Sequence, residues 1–224
     1  MKKNILIFGY GDLAQRLSSI VDKNSYRLFG VSRTSKETLK NNHISWDWLS
    51  KENPVLDVKD FDCIIFIPKP SSYDEDGYKN GFIKSAENIF NLSKELTFNK
   101  FISISSTSVY GKRGKNMHIE SDNLFPDDFR GNIIKDYESN QIKRYSNKLI
   151  ILRFAGLYDS INDINFLNHL NRDNASKIIN FFIETTLNFN SHEVFNCCED
   201  REDKKGSISN KKLKELGFIF DWYN

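Results

Sequence analysis

The chain has 224 residues and a formal net charge of +2, from 32 Lys and Arg against 30 Asp and Glu. Apolar residues make up 39% and aromatics 13%, enough to bury a sizeable core and too much for a disordered chain. The basic residues are scattered, which argues against nucleic acid as a partner, and the longest apolar runs, Cys63–Ile67 and Leu149–Leu152, are far too short to cross a bilayer.

Asn4–Phe8 reads as a first strand, and Leu13, Leu17, Ile20 and Val21 place a helix over Asp12–Val21. The apolar stretch at the start is too short for a signal peptide, so the cytosol is the expected compartment. Arg27–Val31 and Ile44–Trp46 read as the second and third strands, and Asp62–Ile67 as a buried fourth, stopped by Pro68 and Pro70. A long helix over Tyr78–Leu96, a fifth strand over Lys100–Ser105, a helix over Ile133–Arg144 and a sixth strand over Leu149–Arg153 follow. Strands alternating with helices give an α/β fold with a doubly wound parallel sheet, whose ligands bind at the carboxyl ends of the strands. Beyond Gly156 the pattern changes. A helix over Asn174–Thr185, a strand over Glu193–Cys197, a charged turn over Asp200–Gly206 and a short helix capped by Ser209 and ended by Gly217 are expected. The chain therefore divides into a nucleotide-binding domain, 1–155, and a small C-terminal substrate lobe, 156–224.

The strongest motif is Gly9-Tyr10-Gly11-Asp12-Leu13-Ala14, a G-x-G-x-x-A turn between the first strand and the first helix. Gly9 permits the tight turn, Gly11 lets a pyrophosphate approach the backbone, and Ala14 is small enough for close helix–strand packing. The helix start then offers free amides to the phosphates. This is the sign of a Rossmann-type dinucleotide site. Tyr10, Asp12 and Leu13 of the same turn, with Ile67 and Pro68 after the fourth strand, complete the expected contacts. The end of the second strand reads Ser32-Arg33-Thr34, with no carboxylate before Glu37. An NAD site wants an acid there for the ribose hydroxyl, whereas Arg33 can pair with a 2′-phosphate beside Ser32 and Thr34, so NADP is favoured over NAD. Asp47 can meet the adenine amino group or simply form a turn. Trp46 and Trp48 share one face by period 2, which favours core packing. Cys63 reads as a core residue, and Cys197-Cys198 has no partners at metal-ligand spacing. His43, His118, His169 and His192 are isolated and read as surface or loop residues.

At the fifth strand the chain reads Ser105-Ser106-Thr107-Ser108-Val109-Tyr110-Gly111, and at the sixth Leu152-Arg153-Phe154-Ala155-Gly156-Leu157-Tyr158. With the glycine turn, the segment Asn168–Ser176 and the pair Phe195-Asn196, these strings resemble the extended short-chain dehydrogenases, the NAD-dependent epimerase/dehydratase family, in that family's order. The resemblance implies a nucleotide sugar or related carbonyl compound as substrate, Ser106 as the residue that polarises it, and a homodimer built on the helices Tyr78–Leu96 and Ile133–Arg144. It also implies an acid/base tyrosine in Tyr-x-x-x-Lys, whose lysine lowers the phenol's pKa. Here the sequence departs. Aligning Gly131 and Glu138 places Arg130 at the tyrosine and Ile134 at the lysine, and Lys112 and Lys115 stand at the wrong spacing from Tyr110. Arg-Gly at 130–131 is similar to an atypical subgroup, and Asp159-Ser160 replace the usual Gly-Pro-Gly-Arg. Two functions remain open. One is an oxidoreductase or epimerase in which Ser106 polarises the substrate and Tyr110 or Arg130 stands in for the acid. The other is a dinucleotide sensor that has lost the proton-transfer pair.

Overall fold

The computed structural model describes residues 1–34, 39, 42–50, 52–111, 117–160, 162, 164, 167–186, 189–200 and 207–221. Lys36, Glu37, Lys112, Lys115 and positions 201–206 of the charged turn lie outside the described residues.

The strands are β1 (Lys3–Phe8), β2 (Tyr26–Ser32), β3 (His43–Ser45), β4 (Asp60–Phe66), β5 (Thr97–Ser106), β6 (Leu149–Phe154), β7 (Gly156–Tyr158), β8 (His169–Asn171) and β9 (Glu193–Cys197). The helices are α1 (Asp12–Ile20), α2 (Glu75–Tyr78), α3 (Ser85–Ser93), α4 (Phe129–Tyr145), α5 (Arg172–Glu184) and α6 (Lys211–Glu215). Seven strands form one sheet in the order β3-β2-β1-β4-β5-β6-β9, and every pairing is parallel. The strands read as continuous apolar runs because helices cover both faces. Strand order reverses between β1 and β4, and that is where a ligand crevice opens at the carboxyl ends.

Register decides which helix covers which face. Ser103 and Ser105 of β5 bond to Gln141 and Glu138 of α4, and Ser105 pairs with Arg153, which pairs with Asn196. Asn196 therefore points to the α4 side. Its neighbour Phe195 points the other way and meets Phe182 of α5 at 4.7 Å between ring centres. So α5 lies on the face opposite α4, where it packs against α1, with the Ser176 hydroxyl donating to the Leu13 carbonyl at 3.3 Å. β4, β5, β6 and β9 step in one direction across the sheet, yet the last connection runs over the other face. That is the uncommon left hand for a parallel crossover.

Most expected elements appear within a few residues of their sequence bounds. The helix expected over Tyr78–Leu96 starts earlier and is interrupted: α2 and α3 flank a π-helical turn, Lys79–Lys84. The three-residue strands β7 and β8 pair with each other and were not expected. The boundary at 155 falls between β6 and β7, and the chain beyond it supplies the seventh strand of the main sheet. Trp46 and Trp48 do pack in the core, in an edge-to-face series that runs Phe8, Trp46, Trp48, Phe66 with centroids 6.1–6.5 Å apart. Cys63, Cys197 and Cys198 are free and buried. His118 and His169 are not surface residues. Both are buried, the first stacked on Tyr110 and fixed by backbone bonds to Ser207 and Ser209, the second at the start of β8.

Candidate active site at the carboxyl edge of the sheet

Between β1 and α1 the chain turns through Gly9, whose φ of +94° suits a residue without a side chain. A Cβ there would stand 2.3 Å from the Ile67 carbonyl oxygen, so the β1 turn and the end of β4 touch backbone to backbone. The Gly9 and Tyr10 amides both donate to the Val31 carbonyl, and Ile67 donates to Phe8, which holds the turn across the crevice. At Gly11 a Cβ would meet nothing within 4 Å. Gly11 is the cap of α1 and no side chain takes the helix's first amides. That is an open cradle at a helix start, and it fits a pyrophosphate. Tyr10 turns inward and is 1% exposed; its ring packs over Gly30 and its hydroxyl has no hydrogen-bond partner among the described residues. Leu13 is likewise buried, while Asp12 is exposed in the first turn. Pro68 is half-buried beside Ile67 at the crevice.

At the end of β2, the Ser32 hydroxyl donates to the Thr34 carbonyl at 2.9 Å and lies 2.9 Å from His43 Nε2. Its one proton is committed, so Ser32 shapes the turn. Arg33 and Thr34 are exposed, and the Arg33 guanidinium has no ion pair among the described residues. Asp47 accepts from the Leu49 amide at 3.0 Å, and so forms the turn that its position also allowed.

At the end of β5, Ser106 is half-buried and caps a 3₁₀ turn, Thr107–Tyr110, by accepting from the Ser108 amide at 3.2 Å. It accepts that one bond, and its own proton has no acceptor among the described residues. α4 begins directly beside this turn. A Cβ on Gly131 would come within 2.6 Å of the Ser108 carbonyl, so only glycine lets the helix start so close. Arg130 sits one residue earlier, exposed, with its guanidinium 5.8 Å from the Tyr78 ring centre and 5.6 Å from Phe129. Ile134, one turn on, is 4% exposed in the core.

Tyr110 is 1% exposed, and its hydroxyl faces the interior. It receives a hydrogen bond from Arg153 Nη1 at 2.7 Å and lies 2.8 Å from Asn196 Oδ1 and 3.0 Å from the Ile119 carbonyl. Burial pushes the Tyr110 phenol above its ordinary pKa, against the pull of Arg153 and Asn196. Arg153 in turn grips Glu138 through Nε and Nη2 at 2.9 and 2.8 Å, and Ser105 donates to the same carboxylate at 2.6 Å. Burial disfavours the Arg153 charge, but Glu138 more than offsets it and the guanidinium stays raised. Sequence reading missed this buried Ser105–Glu138–Arg153–Tyr110 chain; its members lie up to 48 positions apart on three elements and a turn.

Among the described residues, no group of three or more His, Cys, Asp or Glu could hold a metal, and no helix is long and apolar enough to cross a membrane. A cavity of about 520 Å³ lies at the opposite edge of the sheet, among Lys3, Asp62, Lys100 and Glu184. Glycine turn, Ser106 and Arg130 all sit at the carboxyl edge, where an open α/β sheet binds its ligands.

No family model matches the chain, and no curated protein matches it in sequence. Solved structures do. UDP-N-acetylglucosamine 4-epimerase from Bacillus cereus superposes with a TM-score of 0.75 at 16% identity, over 99% of this chain and 95% of that one. The corresponding epimerase from Methanobrevibacter ruminantium M1, in complex with UDP-N-acetylmuramic acid, gives 0.72 at 15% identity, over 99% and 94%. UDP-glucuronic acid 4-epimerase from Bacillus cereus, in complex with NAD, gives 0.70 at 19% identity, over 88% and 79%. In architecture, the chain has the Rossmann-like parallel α/β fold of these solved epimerase structures.

Proposed function

We propose that this protein binds a nicotinamide dinucleotide along Gly9–Leu13 and acts on a carbonyl or hydroxyl carbon of a nucleotide sugar or related compound at the end of β5. The observation that carries this is the open cradle at Gly11, set by the constrained turn at Gly9 and facing the same edge as Ser106. The dinucleotide, when bound, supplies a hydride acceptor or donor. Ser106, with its hydroxyl proton available, donates to the substrate oxygen. A guanidinium is no proton donor, so Arg130 stabilises negative charge on that oxygen and does not move a proton. Tyr110, held inside by Arg153, supports the end of β5 and has no acid/base part. Arg33, exposed and without an ion pair among the described residues, can meet a 2′-phosphate, which favours NADP; the solved epimerase named above holds NAD. The helices from α2 to α4 are those the resemblance assigns to a homodimer, which light scattering checks.

The test is a thermal-shift and turnover series with NADP, NAD and a panel of nucleotide sugars. Expected is stabilisation by the dinucleotide, about 2.7 kcal/mol at 100 times its dissociation constant, and turnover that Ser106→Ala reduces. Arg33→Asp is expected to remove any preference for NADP. Buried Ile134, where the family has lysine, favours a second reading: a dinucleotide sensor, which binds and does not turn over. No shift with either dinucleotide overturns both.

A further inference from the structure

Resting on that dinucleotide reading, we propose that Arg172, on α5, is a second ligand of the cofactor's pyrophosphate. It reaches the cradle from the C-terminal part of the chain and exchanges Asp12 for a phosphate oxygen.

The start of α1 carries a carboxylate where a phosphate must come. Asp12 is the first helical residue, immediately after the open Gly11. A carboxylate suits the helix dipole there but opposes an incoming anion. Two guanidiniums offset it. Arg16 holds Asp12 through Nε at 3.2 Å, Asp173 through Nη1 at 2.6 Å and Asp159 through Nη2 at 2.7 Å, so each of its three nitrogens is engaged. Arg172 is held less completely. Its Nη1 donates to Asp12 at 3.1 Å, while its Nε, buried and 3.2 Å from Asp159, lacks hydrogen-bond geometry and has no hydrogen-bond partner among the described residues. Its side chain is 33% exposed, at the mouth of the cradle.

The backbone of Arg172 is fixed. Asn171 caps α5 by accepting from Asp173 at 2.8 Å, the Asn171 amide donates to Glu199 at 2.9 Å, and Ser176 bonds to Leu13 in the first turn of α1. The left-handed return of α5 brings these two helix starts together. If Arg172 lets go of Asp12, Arg16 Nε still holds that carboxylate at 3.2 Å. A diphosphate offers the two-oxygen partner that a planar guanidinium fork matches and that Arg172 lacks here.

The test uses the full chain and isothermal titration with NAD, NADP and ADP-ribose, the last keeping the diphosphate without the nicotinamide. Arg172→Ala is expected to weaken all three roughly tenfold, and Arg172→Lys to recover part of the loss. Asp12→Asn is expected to tighten binding, because it frees Arg172 and removes a like charge. Thermal melts without ligand show that the variants are folded. A merely structural link between α1 and α5 would make Asp12→Asn weaken binding or leave it unchanged, and either result, or unchanged affinity in Arg172→Ala, overturns the proposal. Failure of the wild-type protein to bind any of the three overturns the dinucleotide reading itself, and this proposal with it.

Discussion

Glu138 shows how a single side chain can set the shape of the substrate side. Its carboxylate is the shared acceptor for Ser105 and Arg153, and Arg153 passes the constraint to Tyr110. Glu138→Ala leaves a guanidinium buried with no counter-charge, so a loss of about 3–5 kcal/mol is expected. Glu138→Gln keeps the shape and one acceptor and should lose less. Chemical denaturation of both variants measures the difference, and equal losses would refute the expectation and assign the whole effect to the charge that both variants remove. At this scale the sequence is legible where a residue type answers to local geometry. Gly9 and Gly11 could be read because a tight turn and a phosphate cradle need them at that spacing. Ser32 and Tyr110 could be located but not interpreted, since whether a hydroxyl points to the crevice or the interior depends on His43 and Arg153, far off in the chain. The Arg172–Asp12 pair, 160 positions apart, left no local mark.

Among the elements, those with a full period of apolar residues were legible, and the three-residue ones were not. β7 and β8 are too short to show alternation, and the π turn inside the expected long helix keeps nearly the same apolar stripe as an α-helix. The end of α5 is stabilised by a residue outside it. Lys100 of β5 donates to the carbonyls of Phe182 at 2.5 Å and Thr185 at 2.9 Å, which the helix leaves unsatisfied. Lys100→Met keeps the stem and removes the donors. It is expected to destabilise the protein by about 1–2 kcal/mol and to raise amide exchange selectively in the last turn of α5. Uniform exchange across the sheet would refute a local capping role.

Taken whole, the molecule is a sheet whose interior carries thiols as apolar filling. Burial pushes Cys63 from 9.0 up to about 12, and Cys198 likewise to about 12. The unfolded chain therefore ionises first as pH rises. These thiols' contribution to stability is full below about pH 9 and is lost progressively as pH climbs towards 12. Melting temperature is expected to fall more steeply above pH 9 in the wild type than in Cys63→Ala, whatever packing that variant loses at neutral pH. Parallel curves would remove the buried thiol as a cause. The alternation of strand and helix made the α/β architecture legible at this scale. The unity of the sheet was not, because β9 joins β6 only through pairing that no periodicity announces.

That connection also orders the assembly of the protein in time. α1 is synthesised long before α5, which covers one side of it. Until the ribosome has released residues past 184, the side of α1 that α5 will cover stays open, and Asp12 has Arg16 but not Arg172. The fold cannot close from the amino end forward. It has to wait for a contact of very long sequence separation, and such contacts are slow to form. A nascent chain halted after β6 would already carry the glycine turn yet still lack half the clasp around it.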